Sequence, residues 1–522
     1  MFQPEIEGLR AIAVVSVLLY HAHLGPFRGG YVGVDVFFVV SGFLITRILV
    51  DEIGRTGTLS LPAFWARRAR RLLPASALVI AATVALARWV VDPLTQGFVD
   101  RSAVAAVGFV ANVLFWTRGG YSHLSVPEPL LHFWSLALEE QFYLAWPLIL
   151  WALSRSRVAI QRSMTWVVAG LGAASLMLCV ILSRTQQPFA FYLLPTRAWE
   201  LLAGAGLVLA TPRWARVPAV VRGGAAWVGL LGVAFCVVTF TDPELGFPGT
   251  RALLPVAATV LVVFGTTTTV ATADATSASR WGPGRLLGGR SMVWTGKRSY
   301  SLYLWHFPLL VVAAARWGPL SAVQRALVLA VAIVVAAVTF AVVEDPLRRS
   351  RWLARRPTRS LLLGAGLAGT TLLVIVLAMR TIPSSDTGFV AAAPVLVTAP
   401  SIGAEPASPT PGSRPAPSVS ATSTTPTTPT TSISAISISA TSTSPTSPTS
   451  PTSPTSPTSP TSTLDSATTE PATVPASTAP ATPLTTAALP PETMPPIAAT
   501  DAAWAPNPNG LLSLEAANLP TL

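Results

Sequence analysis

Long apolar stretches recur along the first 380 residues of the chain, separated by short polar connections. A helix of about 20 apolar residues crosses the hydrocarbon core of a bilayer. Twelve runs reach or approach this length: 8–24, 31–50, 72–91, 101–117, 134–153, 163–182, 196–211, 221–240, 251–268, 298–315, 322–343 and 360–380. The pattern predicts an all-α protein whose helices form a polytopic transmembrane bundle.

The basic connections between the runs predict how the bundle is oriented. They are 65–71, 155–162, 213–222, 280–298 and 348–359. The positive-inside rule places all five in the cytoplasm, so an even number of spans must separate any two of them. Every interval obeys this except the one between 71 and 155, which holds three runs.

The run 101–117 is the weakest of these three. It is short and opens with charged residues, Asp100 and Arg101. We therefore predict a re-entrant or interfacial segment there. Eleven spans remain, with the N-terminus inside the cell and the C-terminus outside.

The C-terminal part of the chain has a different composition. From about residue 383 it consists mainly of Pro, Ser, Thr and Ala, with a Ser-Pro-Thr repeat through 443–462. Such a segment cannot bury a core and is predicted to be an extended, disordered stalk outside the cell. We predict a membrane domain over 1–350, a basic loop and last span over 351–382, and the tail over 383–522.

Composition agrees with a membrane protein and excludes several other classes. Hydrophobic residues make up 51% of the chain and charged residues 11%, against about 25% charged in soluble domains. Both cysteines lie in apolar runs, which gives no disulfide framework and no metal-ligand spacing. Because the arginines are scattered between spans, the net charge of +12 indicates orientation and not nucleic-acid binding.

Two ionisable residues share one face of the first predicted helix. Arg10 and His21 are separated by eleven positions, about three helical turns, or about 16 Å along the axis. Ionisable residues are costly in hydrocarbon, so such a pair points to a lined pathway or site. A snorkelling Arg and a core His remain the alternative.

Further polar residues fall in the outer half of the predicted bundle. Imidazole and carboxylate groups that meet there could perform general acid/base chemistry or relay protons. For each residue a structural role stays open, as a helix cap, an interfacial carboxylate, an ion pair within one helix or a bundle histidine. The residues are Asp35, His132, Glu139, Glu140, Arg197, Glu200, Tyr303 and His306.

The motifs carrying these residues resemble the integral-membrane acyltransferase-3 family, which O-acylates cell-envelope carbohydrates. They run in the family's order over residues 4–350. The strings are EIEGLRAIAVVSVLLYH, GGYVGVDVFFVVSGFLIT, RRARRLLPA, HFWSLALEEQFYLAWPLIL, RAWELLAGA, RSYSLYLWHFPLL and VVEDPLRR.

The resemblance implies an enzyme that moves an acyl group, acetyl above all, from cytoplasmic acyl-CoA to a sugar hydroxyl on the outer face of a bacterial plasma membrane. His21 would be the general base, and Asp35 or Glu140 would orient its ring. Arg10 and the WARRARR segment would bind the phosphates of CoA. The arginines of that segment are Arg67, Arg68, Arg70 and Arg71.

The remaining motif residues are expected to bind substrate. They are Glu139, Arg197, Glu200, Tyr303 and His306. Acyl-CoA would be a co-substrate, and no metal or permanently bound cofactor is expected. Many members of the family add an esterase-like SGNH domain after an eleventh span, but the 142 residues after 380 contain no GDS-like nucleophile segment.

Two other functions use the same residues differently. A proton-coupled transporter could use the histidines and carboxylates as a relay, and a noncatalytic glycan-handling protein would not need His21. Transporters of this kind often show inverted repeats, but the His21 motif has no counterpart half a chain later. The sequence also contains no GxxxxGK[ST], GxSxG or HExxH motif, which disfavours ATP-driven transport and serine or zinc hydrolysis.

Overall fold

The computed structural model describes residues 3–119, 128–155, 160–214, 216–241, 246–266 and 282–380. Throughout these ranges the chain is helical, and no strand occurs in them. The predicted all-α fold is therefore confirmed for the described part. The predicted disordered tail, 383–522, lies outside it.

Among the described residues, the first half of the bundle contains nine α-helices and a 3-10 helix, Gly30–Val32. The described part of the second half contains nine more α-helices and a π-helix, Phe340–Glu344. In chain order the first nine are α1 Pro4–His21, α2 Gly33–Thr56, α3 Leu61–Val90, α4 Pro93–Val107, α5 Ala111–Thr117, α6 Phe133–Ser154, α7 Ile160–Thr185, α8 Gln187–Tyr192 and α9 Leu194–Trp214. The next nine are α10 Ala219–Thr239, α11 Leu253–Thr266, α12 Gly284–Leu287, α13 Arg290–Lys297, α14 Ser299–Trp317, α15 Ala322–Thr339, α16 Asp345–Arg349, α17 Arg351–Ala354 and α18 Pro357–Met379.

Seven helical segments of the described residues are long and apolar enough to cross a membrane. Four helices that coincide with predicted spans are not among them: α1, α6, α11 and α14. α1, α6 and α14 carry charged or imidazole side chains, which weakens their apolar signal, and α11 has only 14 residues. The total of eleven spans stays a prediction.

The run 101–117 is divided between two short helices. α4 ends at Val107 and α5 begins at Ala111, and Phe109 between them has a φ of 51°. Helices of 15 and 7 residues are each shorter than the about 20 residues that cross a bilayer. This break supports the expectation of a segment that does not cross the membrane as one helix.

The helices α2 and α9 pack at very short range through glycine. A Cβ atom at Gly42 would collide with the carbonyl group of Leu201, and one at Gly204 would collide with the carbonyl oxygen of Val39. Small residues at such contacts let helix backbones approach closely within a membrane. The reciprocal pair fixes α2 against α9 and thereby positions the polar residues at the start of both helices.

Candidate active site

Two histidines from distant parts of the chain meet inside the bundle. His21 is the last residue of α1, and His306 lies in the middle of α14. The Nδ1 atom of His21 lies 3.0 Å from the Nε2 atom of His306, and their rings are stacked. His132 is buried next to them, with its ring centroid 5.7 Å from that of His306.

The hydrogen bonds of His306 determine where the protons of the pair lie. Its Nδ1 atom is 2.7 Å from the carbonyl oxygen of Tyr303, which can only accept, so this nitrogen carries a proton. In a neutral ring the Nε2 atom then has a lone pair and accepts the Nδ1 proton of His21. The Nε2 atom of His21 is left as the basic nitrogen, and no described residue hydrogen-bonds to it.

A cavity of about 230 Å³ lies below the histidine pair. The helices α1, α2, α3, α6 and α14 contribute to its wall, and apolar residues line much of it. Its polar and charged lining consists of Gln3, Glu7, Arg10, Ser41, Arg68, Arg71, Ser135, Glu139, Tyr143, Ser299, Tyr300 and Tyr303. The cavity thus joins a strongly basic end to residues that touch the histidines.

Three arginines line the basic end of the cavity. Arg10 comes from α1 and donates a hydrogen bond of 3.0 Å to Glu7. Arg68 and Arg71 are three residues apart on α3 and therefore share one helix face. A guanidinium group can bind phosphate oxygens in a bidentate manner, so this end suits an anionic ligand.

The other two predicted donor-binding arginines make their contacts outside the cavity. Arg67 is paired with Glu52 at 2.8 Å and is largely exposed. Arg70 donates a hydrogen bond of 2.8 Å to Ser360 on α18. Arg68 and Arg71 line the cavity and Arg67 and Arg70 do not, so the geometry favours only Arg68 and Arg71 for the donor-binding role predicted for all four.

The two adjacent carboxylates of α6 have different surroundings. Glu139 lines the cavity, where it accepts hydrogen bonds from Ser41 at 3.0 Å and from Tyr143 at 3.3 Å. Glu140 lies 3.8 Å from Arg68, whose guanidinium group stacks over the Tyr143 ring. Both carboxylates thus lie near the arginines, only Glu139 lines the cavity, and neither makes a hydrogen bond to His21.

At the other end of the cavity two hydroxyl groups meet. Tyr303 of α14 and Ser135 of α6 line the cavity, and their oxygen atoms are 2.7 Å apart. Each is also 3.2 Å from the backbone carbonyl oxygen of His132. Both side chains are buried, and the Tyr303 ring lies against His306 with centroids 5.4 Å apart. This pair therefore closes the cavity on the side of the histidines.

Asp35, Arg197 and Glu200 form an ion-pair network between α2 and α9. Arg197 lies 2.9 Å from Asp35 and 3.2 Å from Glu200, and all three side chains are at most 1% exposed. None of them lines the cavity. This geometry favours the structural alternative for Arg197 and Glu200, an ion pair that joins helices, over contact with a substrate.

The partner that orients His21 differs from the one expected. We expected Asp35 or Glu140 to hold its ring, but Asp35 is paired with Arg197 and Glu140 faces Arg68. The group that holds the His21 ring is instead His306, whose Nε2 atom accepts its hydrogen bond. A substrate-binding role was expected for His306. The physical reason is register: His21 is at the end of α1, level with the middle of α14, while Asp35 faces α9.

No group of three or more His, Cys, Asp or Glu side chains in the described ranges has a geometry that could hold a metal ion. The three histidines approach one another through ring contacts and one imidazole hydrogen bond, and do not converge on a common point. The arrangement supports acid/base chemistry by an imidazole that lies close to a cavity lined by arginines.

Sequence comparison assigns this arrangement to a known group of proteins. Residues 3–343, well over half of the chain, match the family model of the acyltransferase-3 acyltransferase domain. The chain belongs to the acyltransferase-3 family. It is therefore an acyltransferase, and the resemblance stated from its motifs is confirmed.

Two similar proteins are named as O-acetyltransferases. The chain is 31% identical over 360 residues to the peptidoglycan O-acetyltransferase OatA of Listeria monocytogenes. The matched segment covers 67% of this chain and 56% of that protein. It is 29% identical over 359 residues to the O-acetyltransferase OatA of Staphylococcus aureus, covering 67% of this chain and 57% of that one. The chain thus spans little more than half the length of these relatives. No solved structure matches it.

The seven membrane-length helices and the bacterial relatives make this acyltransferase a multi-pass bacterial membrane protein. Its family domain includes every cavity-lining residue named above, from Gln3 to Tyr303. The cavity and the histidine pair therefore lie within the segment that the family model matches, and not in the segment beyond residue 343.

The sequence analysis did not single out Ser135, Ser41 or Tyr143. A serine or tyrosine in an apolar helix is common and carries no spacing signal of its own. Ser135 follows His132 by three positions and precedes Glu139 by four, so it shares their helix face. That helical spacing was the one signal that could have identified it.

Proposed function

We propose that this acyltransferase moves an acetyl group from acetyl-CoA to a hydroxyl group of a cell-wall carbohydrate on the outer side of the membrane. The observation that carries the proposal is the cavity, whose basic end contains Arg10, Arg68 and Arg71 and whose opposite end is closed by Tyr303, which packs against His306 of the histidine pair. A long donor with phosphates at one end and a reactive thioester at the other suits these two ends.

The donor is proposed to enter from the basic end. The two arginines of α3 and Arg10 of α1 would bind the phosphate groups of CoA, and the pantetheine arm would extend along the cavity toward Tyr303. The about 16 Å between Arg10 and His21 along α1 is a distance that an extended pantetheine arm can bridge. Under the eleven-span topology this end faces the cytoplasm, where acyl-CoA is made.

His21 is proposed to act as the general base. Its Nε2 atom would accept the proton of the acceptor hydroxyl, and His306 would hold the ring through the 3.0 Å hydrogen bond. The acceptor oxygen would attack the thioester carbonyl carbon, and CoA thiolate would leave with the proton from His21. Direct transfer of this kind needs no covalent acyl-enzyme.

The acceptor is proposed to be a glycan of the cell wall. The support comes from the names of the relatives, one of which is called a peptidoglycan O-acetyltransferase. Peptidoglycan is therefore the first acceptor to test. The chain spans only part of the length of those relatives. The same test therefore also asks whether the reaction requires a further partner.

The experiment compares envelope glycans from bacteria that lack other O-acetylation activity. One strain makes the wild-type protein, one makes His21→Ala and one makes the control His23→Ala, which changes an exposed histidine two residues away. Mass spectrometry before and after mild alkali measures ester-linked acetyl groups. We expect these groups with the wild type and with His23→Ala, and their loss with His21→Ala at equal membrane levels. Acetylation at the wild-type level by His21→Ala would contradict the proposed mechanism.

A further inference from the structure

The Tyr303–Ser135 pair makes an unusual set of hydrogen bonds at the end of the cavity. The two hydroxyl groups and the carbonyl oxygen of His132 form a triangle with sides of 2.7, 3.2 and 3.2 Å. Two hydroxyl protons are present, and only the 2.7 Å side is at the usual O–H···O distance of about 2.7–2.8 Å. One proton therefore occupies the short bond, and the other is held only by a long bond to the carbonyl.

We propose that Tyr303 is a catalytic residue whose hydroxyl group donates a hydrogen bond to the thioester carbonyl oxygen, and that Ser135 is the positioning residue that holds Tyr303 for this task. The inference rests on the proposed acyl transfer from a thioester donor. In the resting state Ser135 donates to the Tyr303 oxygen, and Tyr303 donates to the His132 carbonyl. When the donor arrives, the Tyr303 O–H exchanges this long bond for one to the thioester carbonyl.

The position of Tyr303 on α14 supports this role. Ser299, Tyr303 and His306 follow one another at spacings of four and three, which places them along one face of the helix. Ser299 and Tyr303 line the cavity, while His306 contacts His21. Tyr303 is thus the residue of this face at which the space for a donor ends and the histidine pair begins.

Burial makes such a donor effective. Tyr303 is 5% exposed and Ser135 is 4% exposed, so water competes little for the developing negative charge. The bond from Ser135 polarises the Tyr303 hydroxyl group and makes it a better donor. It also fixes the direction of the O–H bond before the reaction begins.

The chemical step balances without any other reactant. The acceptor O–H bond breaks, its proton moves to the Nε2 atom of His21, and the oxygen bonds to the thioester carbon. The oxygen of the tetrahedral intermediate carries the negative charge and accepts the hydrogen bond from Tyr303. The C–S bond then breaks, and the thiolate takes the proton from His21, which yields the ester and free CoA.

The test uses full-length protein in liposomes with acetyl-CoA and peptidoglycan chains. Tyr303→Phe removes one oxygen atom and is expected to lower kcat by about 10²- to 10³-fold, the usual effect of losing an oxyanion donor, while the KM for acetyl-CoA changes less than about twofold. Thr339→Val is the matched control, because it removes another buried hydrogen bond of α14, from Trp305 to Thr339 at 2.9 Å, that is distant from the cavity. It is expected to retain kcat.

Ser135 is tested by its dependence on Tyr303. Ser135→Ala is expected to lower kcat by about tenfold, because Tyr303 remains but is held less well. The double variant Ser135→Ala/Tyr303→Phe is expected to be no slower than Tyr303→Phe alone, since residues that act through one another are not additive. Additive losses would overturn the positioning role of Ser135.

A spectroscopic measurement separates donation from a purely structural role. Acetyl-CoA labelled with ¹³C at the carbonyl carbon is bound to His21→Ala protein, and its carbonyl stretch is measured by infrared difference spectroscopy. We expect a shift to lower frequency that disappears in His21→Ala/Tyr303→Phe and persists in His21→Ala/Thr339→Val. An unchanged band in the Tyr303 variant, or a wild-type kcat with Tyr303→Phe, overturns the inference. If the wild type transfers no acetyl group and binds no acetyl-CoA, the proposed function fails as well.

Discussion

At the scale of single residues, the proposed chemistry depends on three groups joined in series by hydrogen bonds: the Tyr303 carbonyl, the His306 ring and the His21 ring. The carbonyl fixes the proton on His306, and His306 fixes the proton on His21. A carboxylate plays the corresponding role in hydrolase triads. A neutral imidazole in its place orients the base and adds no negative charge to the interior of a membrane.

His306→Ala tests this series of hydrogen bonds. Without its partner, His21 is free to rotate and to bind its proton on either nitrogen, so we expect kcat for acetyl transfer to fall by at least about 10²-fold, within the range of general acid/base effects. Steady-state kinetics with purified protein measures this, and His23→Ala is the control. An unchanged kcat with normal protein levels would show that His306 does not orient the base.

The residues of the site were visible in the sequence to different degrees. Arg10, His21 and His306 carry imidazole or guanidinium groups in apolar helices, where such groups are costly, so they stood out. The contact between His21 and His306 joins positions 285 residues apart, and the spacing of residues within each helix holds no information about it. For the same reason Asp35 was assigned to His21 when its partner is Arg197.

At the scale of helices, α3 shows how one face is selected. Arg68 and Arg71 line the cavity, while Arg67 and Arg70 bind Glu52 and Ser360 outside it. The segment WARRARR contains all four and gives no indication which side faces inward. Only the packing of α3 against its neighbours decides this.

Donor kinetics test the selected face. Arg71→Ala should raise the KM for acetyl-CoA by about tenfold or more with a smaller effect on kcat, because a charge-assisted hydrogen bond to phosphate contributes to binding in both ground and transition states. Arg67→Ala is the matched control on the same helix and should leave this KM unchanged. A KM that rises for the carbohydrate and not for acetyl-CoA would contradict the assignment of this end to CoA.

The close contact between α2 and α9 gives a prediction about stability. Gly204→Ala places a Cβ atom against the backbone of Val39, and such overpacking typically costs about 1–3 kcal/mol. We expect a lower midpoint of thermal unfolding in detergent. The control is Gly170→Ala on α7, where a Cβ would meet no atom within 4 Å, and its midpoint should not fall. Equal midpoints for the two variants would contradict the packing described for α2 and α9.

At the scale of the whole molecule, the sequence patterns predicted the helical bundle well, because apolar runs of membrane length have few alternatives. From length and charge they predicted a re-entrant or interfacial segment at 101–117, and the chain breaks there between α4 and α5. They could not predict the cavity, which forms where five helices leave space between their inner faces. Such space depends on how side chains from distant segments pack.

The eleven-span topology and the tail give a prediction of their own. A protein truncated after residue 382 should retain most of its acetyl transfer, because the Pro/Ser/Thr-rich composition of residues 383–522 predicts no catalytic domain there. A reporter fused at residue 385 should function only as an extracytoplasmic protein. Loss of activity in the inserted, truncated protein would assign the tail a role in the reaction, and a cytoplasmic reporter would restore 101–117 as a twelfth span.

The most direct measurement of the central claim uses purified wild-type protein and His21→Ala in liposomes, supplied with acetyl-CoA labelled in its acetyl group and with peptidoglycan chains. The quantity measured is the initial rate at which alkali-labile label appears on the glycan. We predict transfer by the wild type and a rate lower by at least about 10²-fold for His21→Ala. Equal rates for the two proteins would contradict the account of His21 as the base in acyl transfer.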